Sequence, residues 1–436
     1  LDDRTTQALA RSQRTGSEVA IIAIDLDAFK LVNDSFGHRT GDVLLCAVSQ
    51  RLRAAVRPGD TLARIGGDEF VVLMDPAPNA ASAAALAERI HTALLKDVEI
   101  DGTAHRPTAS IGVALGGTPQ TDFEQLLSDA SVALYCVKQA GKNSIQLFQP
   151  SMNLNARERF KLQADLRRAL EDDELTLFYQ SECYANGGEL DGFEALVRWV
   201  HPDHGLMSPD RFIPLAEETG LVVPLGRWVL KEALAQMMRW SDADIRARSL
   251  SISVNVSAVQ LKGSTIVADV TDALTASGID PARVVLEVTE SSFIESSEEI
   301  IDTLRTLKAL GVRLAIDDFG TGYASIANLQ SMPIDIVKVD KRFVASCDDG
   351  GHGRELLKAI LNIGHVLSLV TVAEGIEQQT QLETARQLGC NLAQGYLFSR
   401  PVPADQAKQL IAAGPASRRA LETAAISATA PSLPMH

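Results

Sequence analysis

In the second half of this chain, acidic side chains recur where apolar runs end. Glu194 lies in FEALVRW, Asn255 closes SISVN, and Glu287 sits in VVLEVTE with Glu290 three residues on. Asp317 and Asp318 follow RLAI directly, Lys338 is inside DIVKVD, and Glu374 and Glu377 fall in VTVAEGIE. A single acid at a strand end is ordinarily a solvated cap or loop residue. Two adjacent acids at the mouth of a buried strand are another matter, because like charges there repel unless a cation compensates them. Seven carboxylates, an amide and an amine closing successive strands make a hard-oxygen site suited to Mg²⁺ or Mn²⁺.

A second constellation lies near the start. Arg64-Ile65-Gly66-Gly67-Asp68-Glu69-Phe70 joins two strand-like runs, TLAR and FVVLM. Gly66 and Gly67 permit a tight turn whose amides can approach a phosphate. Asp68 and Glu69 can reach a metal on that phosphate, and Asp25, ending VAIIAID, is the natural second carboxylate. Taken alone, Gly-Gly-Asp-Glu is also an ordinary hairpin turn.

These residues need elements to hold them. Val19–Leu26 is a short β-branched run of buried-strand type, Asp42–Ala55 has helical spacing, and Thr61–Met74 reads as two strands about the glycines. Helices over Ala80–Leu95 and Phe123–Lys138 and strands over Thr108–Ala114 and Ser144–Phe148 complete a compact α/β domain, residues 1–150. Residues 151–172 suit a connecting helix. Strands are expected at Leu175–Tyr179, Gly192–Arg198, Ser251–Asn255, Val284–Val288, Arg313–Ile316, Ile336–Val339 and Val370–Ala373. Their strand–loop–helix rhythm over residues 173–405 is that of a (β/α)8 barrel, whose C-terminal strand ends converge on one face. The tail, 406–436, is expected to be largely disordered beyond a last helix, being rich in Ala, Ser, Thr and Pro.

The strings EALVRW, NVS, LEVTE, DDFGTGYAS, KVD, AEGIE and QGYLF, in this order, resemble the EAL-type phosphodiesterases that cleave cyclic di-GMP. The resemblance implies that Glu194, Asn255, Glu287 and Asp317 hold one metal, and that Asp317 bridges to a second held by Asp318. Lys338 and Glu374 would stand at the attacking water, with the choice of base left open. Glu290 and the DDFGTGY loop would order the metal-bridging region, and Gln180, Arg198, Glu377 and Gln394 would line the substrate. Two ions about 3.5–4 Å apart can activate water and clamp an in-line displacement, and the product would be linear pGpG. Ser181 stands where the family usually has Pro. A non-catalytic cyclic di-GMP receptor is the rival reading. Loss of Glu194, Asp317 or Lys338 would mark it, and all three are present.

IDLDAFKLVNDSFGHRTGD followed by RIGGDEF resembles the GGDEF diguanylate cyclases. By that resemblance Asp25, Asp68 and Glu69 bind Mg²⁺ with GTP, Asn33 and Asp42 read guanine, and Lys138 and Lys142 meet the triphosphate. Such a domain either makes cyclic di-GMP from two GTP in a homodimer or binds GTP as a regulator. Arg57-Pro58-Gly59-Asp60 matches the family's inhibitory Arg-x-x-Asp site, where arginine can bond both phosphate and a guanine edge; a surface ion pair is the alternative. The family's opening segment is absent, Val137-Lys138 and Gly141-Lys142-Asn143 replace Ala-Lys and Gly-Arg-Asn, and Ser131 replaces an acid. Lys142 keeps the charge without the planar fork of arginine.

Composition limits the partners. Hydrophobic residues at 46% and charged residues at 22% suit a soluble globular chain. A net charge of −15 without a basic run argues against a nucleic-acid polymer or an anionic membrane as the main partner. The five scattered cysteines form no Cys-x-x-Cys pair, which fits a reducing cytoplasm. No run approaches the roughly 18 apolar residues of a membrane span. The chain starts at Leu1, so an upstream sensor or membrane tether is expected beyond it.

Overall fold

The computed structural model describes residues 1–100, 103–117, 121–290, 292, 298–321, 326–348 and 351–413. The tail beyond 413, and positions 322–325 of the DDFGTGYAS string, lie outside the described residues. Contacts divide the chain into two compact units, with the division at Lys161.

The strands of the first unit are β1 (Glu18–Leu26), β2 (Thr61–Gly66), β3 (Glu69–Ala77), a separate hairpin of β4 (Val98–Ile100) and β5 (Thr103–His105), β6 (Ala109–Gly116) and β7 (Ile145–Leu147). Five of them form a sheet ordered β2-β3-β1-β6-β7, with β1 antiparallel to both neighbours. The helices are α1 (Asp2–Thr15), α2 (Phe29–Phe36), α3 (His38–Ala55), α4 (Ala80–Leu94) and α5 (Phe123–Gln139).

The unbroken apolar run of β1 follows from its central place, because successive side chains go to opposite faces and both faces are covered. Ala20, Ile22 and Ile24 pack with Leu44 and Val48 of α3 and Ile90 of α4. Val19, Ile21 and Ala23 pack with Leu9 of α1 and Ala130 and Leu134 of α5. Helix α5 lies so close on β6 that a Cβ at Gly112 would stand 2.1 Å from the Ala130 carbonyl oxygen. Helix α6 (Pro150–Ala169) covers the segment read as a connecting helix.

In the second unit, eight strands close into a barrel: β8 (Leu175–Tyr184), β9 (Leu190–His201), β11 (Ser251–Asn255), β12 (Val284–Thr289), β13 (Arg313–Phe319), β14 (Ile336–Val339), β15 (Val370–Ala373) and β16 (Leu392–Gln394). The short strands β10 (Gly205–Met207) and β17 (Val402–Pro403) pair at its margin, and a last helix spans Ala404–Ala412. The barrel departs from a plain strand–helix repeat at its first strand. Strand β8 is antiparallel to both β9 and β16, and reaches β9 by a hairpin through Gly187 and Gly188, both at positive φ. The rhythm of the sequence missed β16, because three residues are too few to show a period.

Two sets of inward side chains, two residues apart on each strand, line the barrel. A lower layer carries Glu182, Gly192, Ser253, Val285, Ala315, Ile336, Val372 and Leu392, one from each strand. Its last five pack as an apolar cluster of their own. One pleat further toward the open face, two residues along each strand, stand Gln180, Glu194, Asn255, Glu287, Asp317, Lys338, Glu374 and Gln394. Every strand therefore places one polar residue in the upper layer, over a floor that is apolar except at Glu182 and Ser253.

Candidate active site

At the centre of the upper layer is a buried ammonium. Lys338 is 1% exposed, and its Nζ lies 2.9 Å from Glu287 Oε2, 2.9 Å from Glu374 Oε1 and 3.4 Å from Glu194 Oε2. Burial opposes its charge, but Glu194, Glu287 and Glu374 hold its pKa well above the ordinary value. Glu194 is held on its other sides by amides: Asn255 Nδ2 donates to Oε1 at 2.7 Å and Gln394 Nε2 to Oε2 at 2.6 Å. Gln394 also reaches Gln180 Oε1 at 3.4 Å, and Gln180 Nε2 donates to the Ser399 carbonyl at 3.2 Å. Against burial, Lys338 and these donors keep the Glu194 carboxyl below its usual range.

One ammonium does not balance the remaining acids. Burial first, and then neighbouring acids working against Lys338, raise the Glu374 carboxyl to about 8 and that of Glu287 well above its usual value. Glu287 Oε1 is buried without a hydrogen-bond partner. Asp317, Asp318 and Glu374 offer oxygens within 4.8 Å of one another. Surplus carboxylates, an orphaned oxygen and a neighbouring amide are the donor set that a hard divalent cation takes.

Asp318 reaches this group through an irregular backbone. Regular strand neighbours face opposite sides, but the β13–β14 register shifts between Ile316 and Phe319, and Asp318 adopts φ 54°. Its amide donates to Asp317 Oδ1 at 2.8 Å. Burial, then Asp317 and a hydrogen bond shared with Asp340, raise its carboxyl to about 6. Glu290 holds the same loop twice: its amide donates to the Asp317 carbonyl at 3.0 Å, and its Oε2 accepts from the Gly320 amide at 2.8 Å.

A cleft of about 460 Å³ opens from Glu194, Asn255, Asp317 and Asp318 onto apolar walls that include Ile213 and Leu225. Arg198, four residues after Glu194 on β9, stands 5.5 Å over the Phe178 ring and donates to the Val197 carbonyl at 2.9 Å. Glu377 is exposed, with its amide bonded to Gln381 Oε1 at 2.9 Å. Two buried acids beside the site escaped the sequence reading. Glu182 shares a face of β8 with Gln180, so the period of two could have found it, and Asp340 ends the KVD string.

In the first unit, Asp25 pairs across the sheet with Glu69 and accepts an ion pair from Lys138 of α5 at 2.6 Å. Burial raises its carboxyl, with Lys138 opposing and Asp68 and Glu69 adding to the rise. Gly66 and Gly67 form the β2–β3 turn, with Gly67 at φ 49° and its carbonyl accepting from Arg64 at 2.8 Å. The Asn33 side chain packs on Gly41, where a Cβ would meet its Oδ1 at 1.9 Å, and Asp42 beside it is exposed. Lys142 is exposed at φ 64°. Asp60 Oδ2 accepts the Arg57 amide at 2.9 Å rather than its guanidinium, so this segment is a turn and not a surface ion pair.

The EAL domain model matches residues 163–401, more than half of the chain, and the diguanylate cyclase GGDEF domain model matches residues 1–144. The chain belongs to the tandem GGDEF–EAL family. It is 43% identical over 407 residues to the bifunctional diguanylate cyclase/cyclic di-GMP phosphodiesterase MucR of Pseudomonas aeruginosa, covering 93% of this chain and 59% of that protein. With the cyclic di-GMP phosphodiesterase NbdA of the same organism it shares 39% identity over 397 residues, 91% of this chain and 50% of that one. This GGDEF–EAL chain thus spans between half and three-fifths of the length of these relatives. The solved PaMucR phosphodiesterase, in a c-di-GMP complex, superposes with a TM-score of 0.54 at 42% identity over 57% of this chain and 99% of that one. The Vibrio cholerae LapD S helix-GGDEF-EAL structure shares the fold at 18% identity and a TM-score of 0.59, covering 90% of this chain and 93% of that one. Among the described residues, no helix is long and apolar enough to cross a membrane.

The raised carboxyls give the barrel a pH signature. An unfolded Asp or Glu ionises near pH 4, whereas folded Asp318 does so at about 6 and Glu374 at about 8. Between those values the folded state holds more protons, so its stability is greatest at the acid end and falls as pH rises. Thermal melts of metal-stripped protein should therefore decline from about pH 5 to about pH 8, and saturating Mg²⁺ should flatten the slope because it binds the ionised form. A stripped protein with no slope across this window would contradict the acid surplus.

Proposed function

We propose that the barrel hydrolyses cyclic di-GMP to linear pGpG with divalent metal ions. The observation that carries this reading is the ring of surplus carboxylates around Lys338 at the foot of an open cleft, one polar residue from every strand. Glu194, Asn255, Glu287 and Asp317 would hold one ion, and Asp317 and Asp318 a second. Bound there, the ions would supply positive charge that acidifies water and offsets charge developing on the phosphodiester oxygens.

The chain's own groups divide the remaining work. Lys338 is enclosed by acids and kept protonated, so it donates and orients. Glu374 is the better proton acceptor, since it is a carboxyl beside that ammonium and, once ionised, can take a proton where the charged Lys338 cannot. The water's proton passes to Glu374, its oxygen forms the new P–O bond, and the P–O3′ bond breaks, the leaving oxygen taking a proton from solvent to become a free 3′-hydroxyl. Gln180 and Gln394 fix Glu194 and border the site, while Arg198 and Glu377 would meet the substrate from the rim. Glu290 holds the loop that carries Asp317 and Asp318. The MucR and NbdA relatives and the c-di-GMP complex of PaMucR support this substrate. A receptor without catalysis is the weaker reading, because no member of the ring is missing.

For the first unit the proposal is GTP binding with Mg²⁺ at Asp25, Asp68 and Glu69. Gly66 and Gly67 would lie against the phosphates, Lys138 and Lys142 would meet the triphosphate, and Asn33 and Asp42 the guanine. Lys138 now neutralises Asp25, and on GTP binding it would turn to phosphate as the metal takes its place. Synthesis would need two such units facing each other in a homodimer, each with one GTP, so that catalysis is mainly positioning. Without that dimer, GTP acts on this unit as a regulator.

Asp318→Asn should abolish release of pGpG while leaving the melting temperature equal or higher, because it removes a ligand and relieves acid–acid repulsion. Turnover like that of wild type at saturating Mg²⁺ would remove Asp318 from the metal set. In GTP-fed reactions Arg57→Ala should raise net cyclic di-GMP by weakening product inhibition. Identical inhibition curves for variant and parent would make Arg57–Asp60 a turn and nothing more.

A further inference from the structure

One buried acid has no part in the chemistry above. Glu182 is 4% exposed and lines a small cavity of the lower layer with Val285, Ile336, Val372 and Leu392. A carboxylate in such a floor is unfavourable unless partners compensate it. Ser253, its neighbour in the same layer, donates to Oε2 at 3.3 Å, and Lys338 Nζ stands above, 3.9 Å from Oε1.

That last distance is too long for a direct hydrogen bond. Lys338 has three N–H groups, and Glu287, Glu374 and Glu194 already stand at 2.9, 2.9 and 3.4 Å. A space of about 10 Å³ lies at this level, lined by Glu182, Ser253, Glu287, Arg313 and Lys338 among others. It is the size of one water, and its lining is polar enough to hold one. Two of the lining residues carry buried atoms with no protein partner, Glu287 Oε1 and Arg313 Nε.

We infer that Glu182 is a positioning residue for Lys338, holding the ammonium from the closed side of the barrel through a single water in this cavity. The inference rests on the hydrolase reading. Of the three acids touching Lys338, Glu194 and Glu287 are proposed metal ligands, and a bound cation shares their charge. Glu182 lies a pleat below that layer, so its place beneath Lys338 is kept when the others turn to metal. It keeps the ammonium at the level of Glu374 instead of leaving it to follow the most charged neighbour.

The test compares the full chain with Glu182→Leu and Glu182→Gln, using cyclic di-GMP and Mg²⁺ or Mn²⁺. Glu182→Leu should lower kcat by about 10- to 100-fold, the scale of a misplaced catalytic group, with KM unchanged. Its melting temperature should be equal or higher, since Lys338 keeps three other carboxylates and an acid is removed from a largely apolar floor. Glu182→Gln keeps the hydrogen bonds without the charge and should fall between. A purely structural role predicts the reverse, a lower melting temperature with unchanged kcat, and would overturn the inference. A high-resolution crystal structure supplies an arm that needs no activity: a water should bridge Glu182 and Lys338, and Nζ should move in Glu182→Leu. A dry cavity or an unmoved Nζ overturns the inference. If the wild-type chain does not turn over cyclic di-GMP, the hydrolase reading fails and the crystallographic arm still decides the role of Glu182.

Discussion

The second unit is organised around one ammonium buried among carboxylates. Lys338 touches three glutamates directly and a fourth at longer range. An isolated charge of either sign would be strongly disfavoured at that depth. The lysine makes a ring of acids tolerable in the absence of metal, and the ring keeps the lysine charged. The compensation is incomplete by design of the residue count: Glu374 and Glu287 are pushed toward neutrality, and Glu287 keeps an oxygen unpaired. A fold stable with a partly protonated ring can become fully ionised when cations enter.

Barrel geometry makes that arrangement possible. The parallel strands stagger by two residues at alternate pairings, Glu287 opposite Ala315 and Lys338 opposite Val372. That shear brings one polar residue per strand to the same end of the barrel, over a floor whose apolar part is Val285, Ala315, Ile336, Val372 and Leu392. The exception is β8, which runs the other way and contributes Gln180 above and Glu182 below. The β13 bulge adds the one acid that pleating alone could not deliver, Asp318 beside Asp317. The first unit follows a simpler plan, in which a central strand buried on both faces carries Asp25 to its end beside a helix bearing Lys138.

All eight residues of the upper layer were legible in the sequence, some from their place at the ends of apolar runs and the two glutamines from the family resemblance. What the sequence did not carry is of three kinds. Strand β16 is too short to show a period, and the direction of β8 depends on which strands it pairs with, which only closure of the barrel decides. Glu182 falls mid-strand in LTLFYQSECY, where only its spacing of two from Gln180 shows that it faces in. The segment Arg57–Asp60 matched a motif, but its carboxylate bonds to backbone, a choice that spacing does not encode.

The central claim is that the acid ring around Lys338 exists to receive divalent cations. Titrating metal-stripped protein with Mg²⁺ in buffers of different ionisation enthalpy measures both binding and the protons released. At pH 7 binding should release protons from Glu374 and Glu287, whose carboxyls burial raises, and release should fall as pH rises. Absence of binding, or binding with no proton release at any pH, would contradict it.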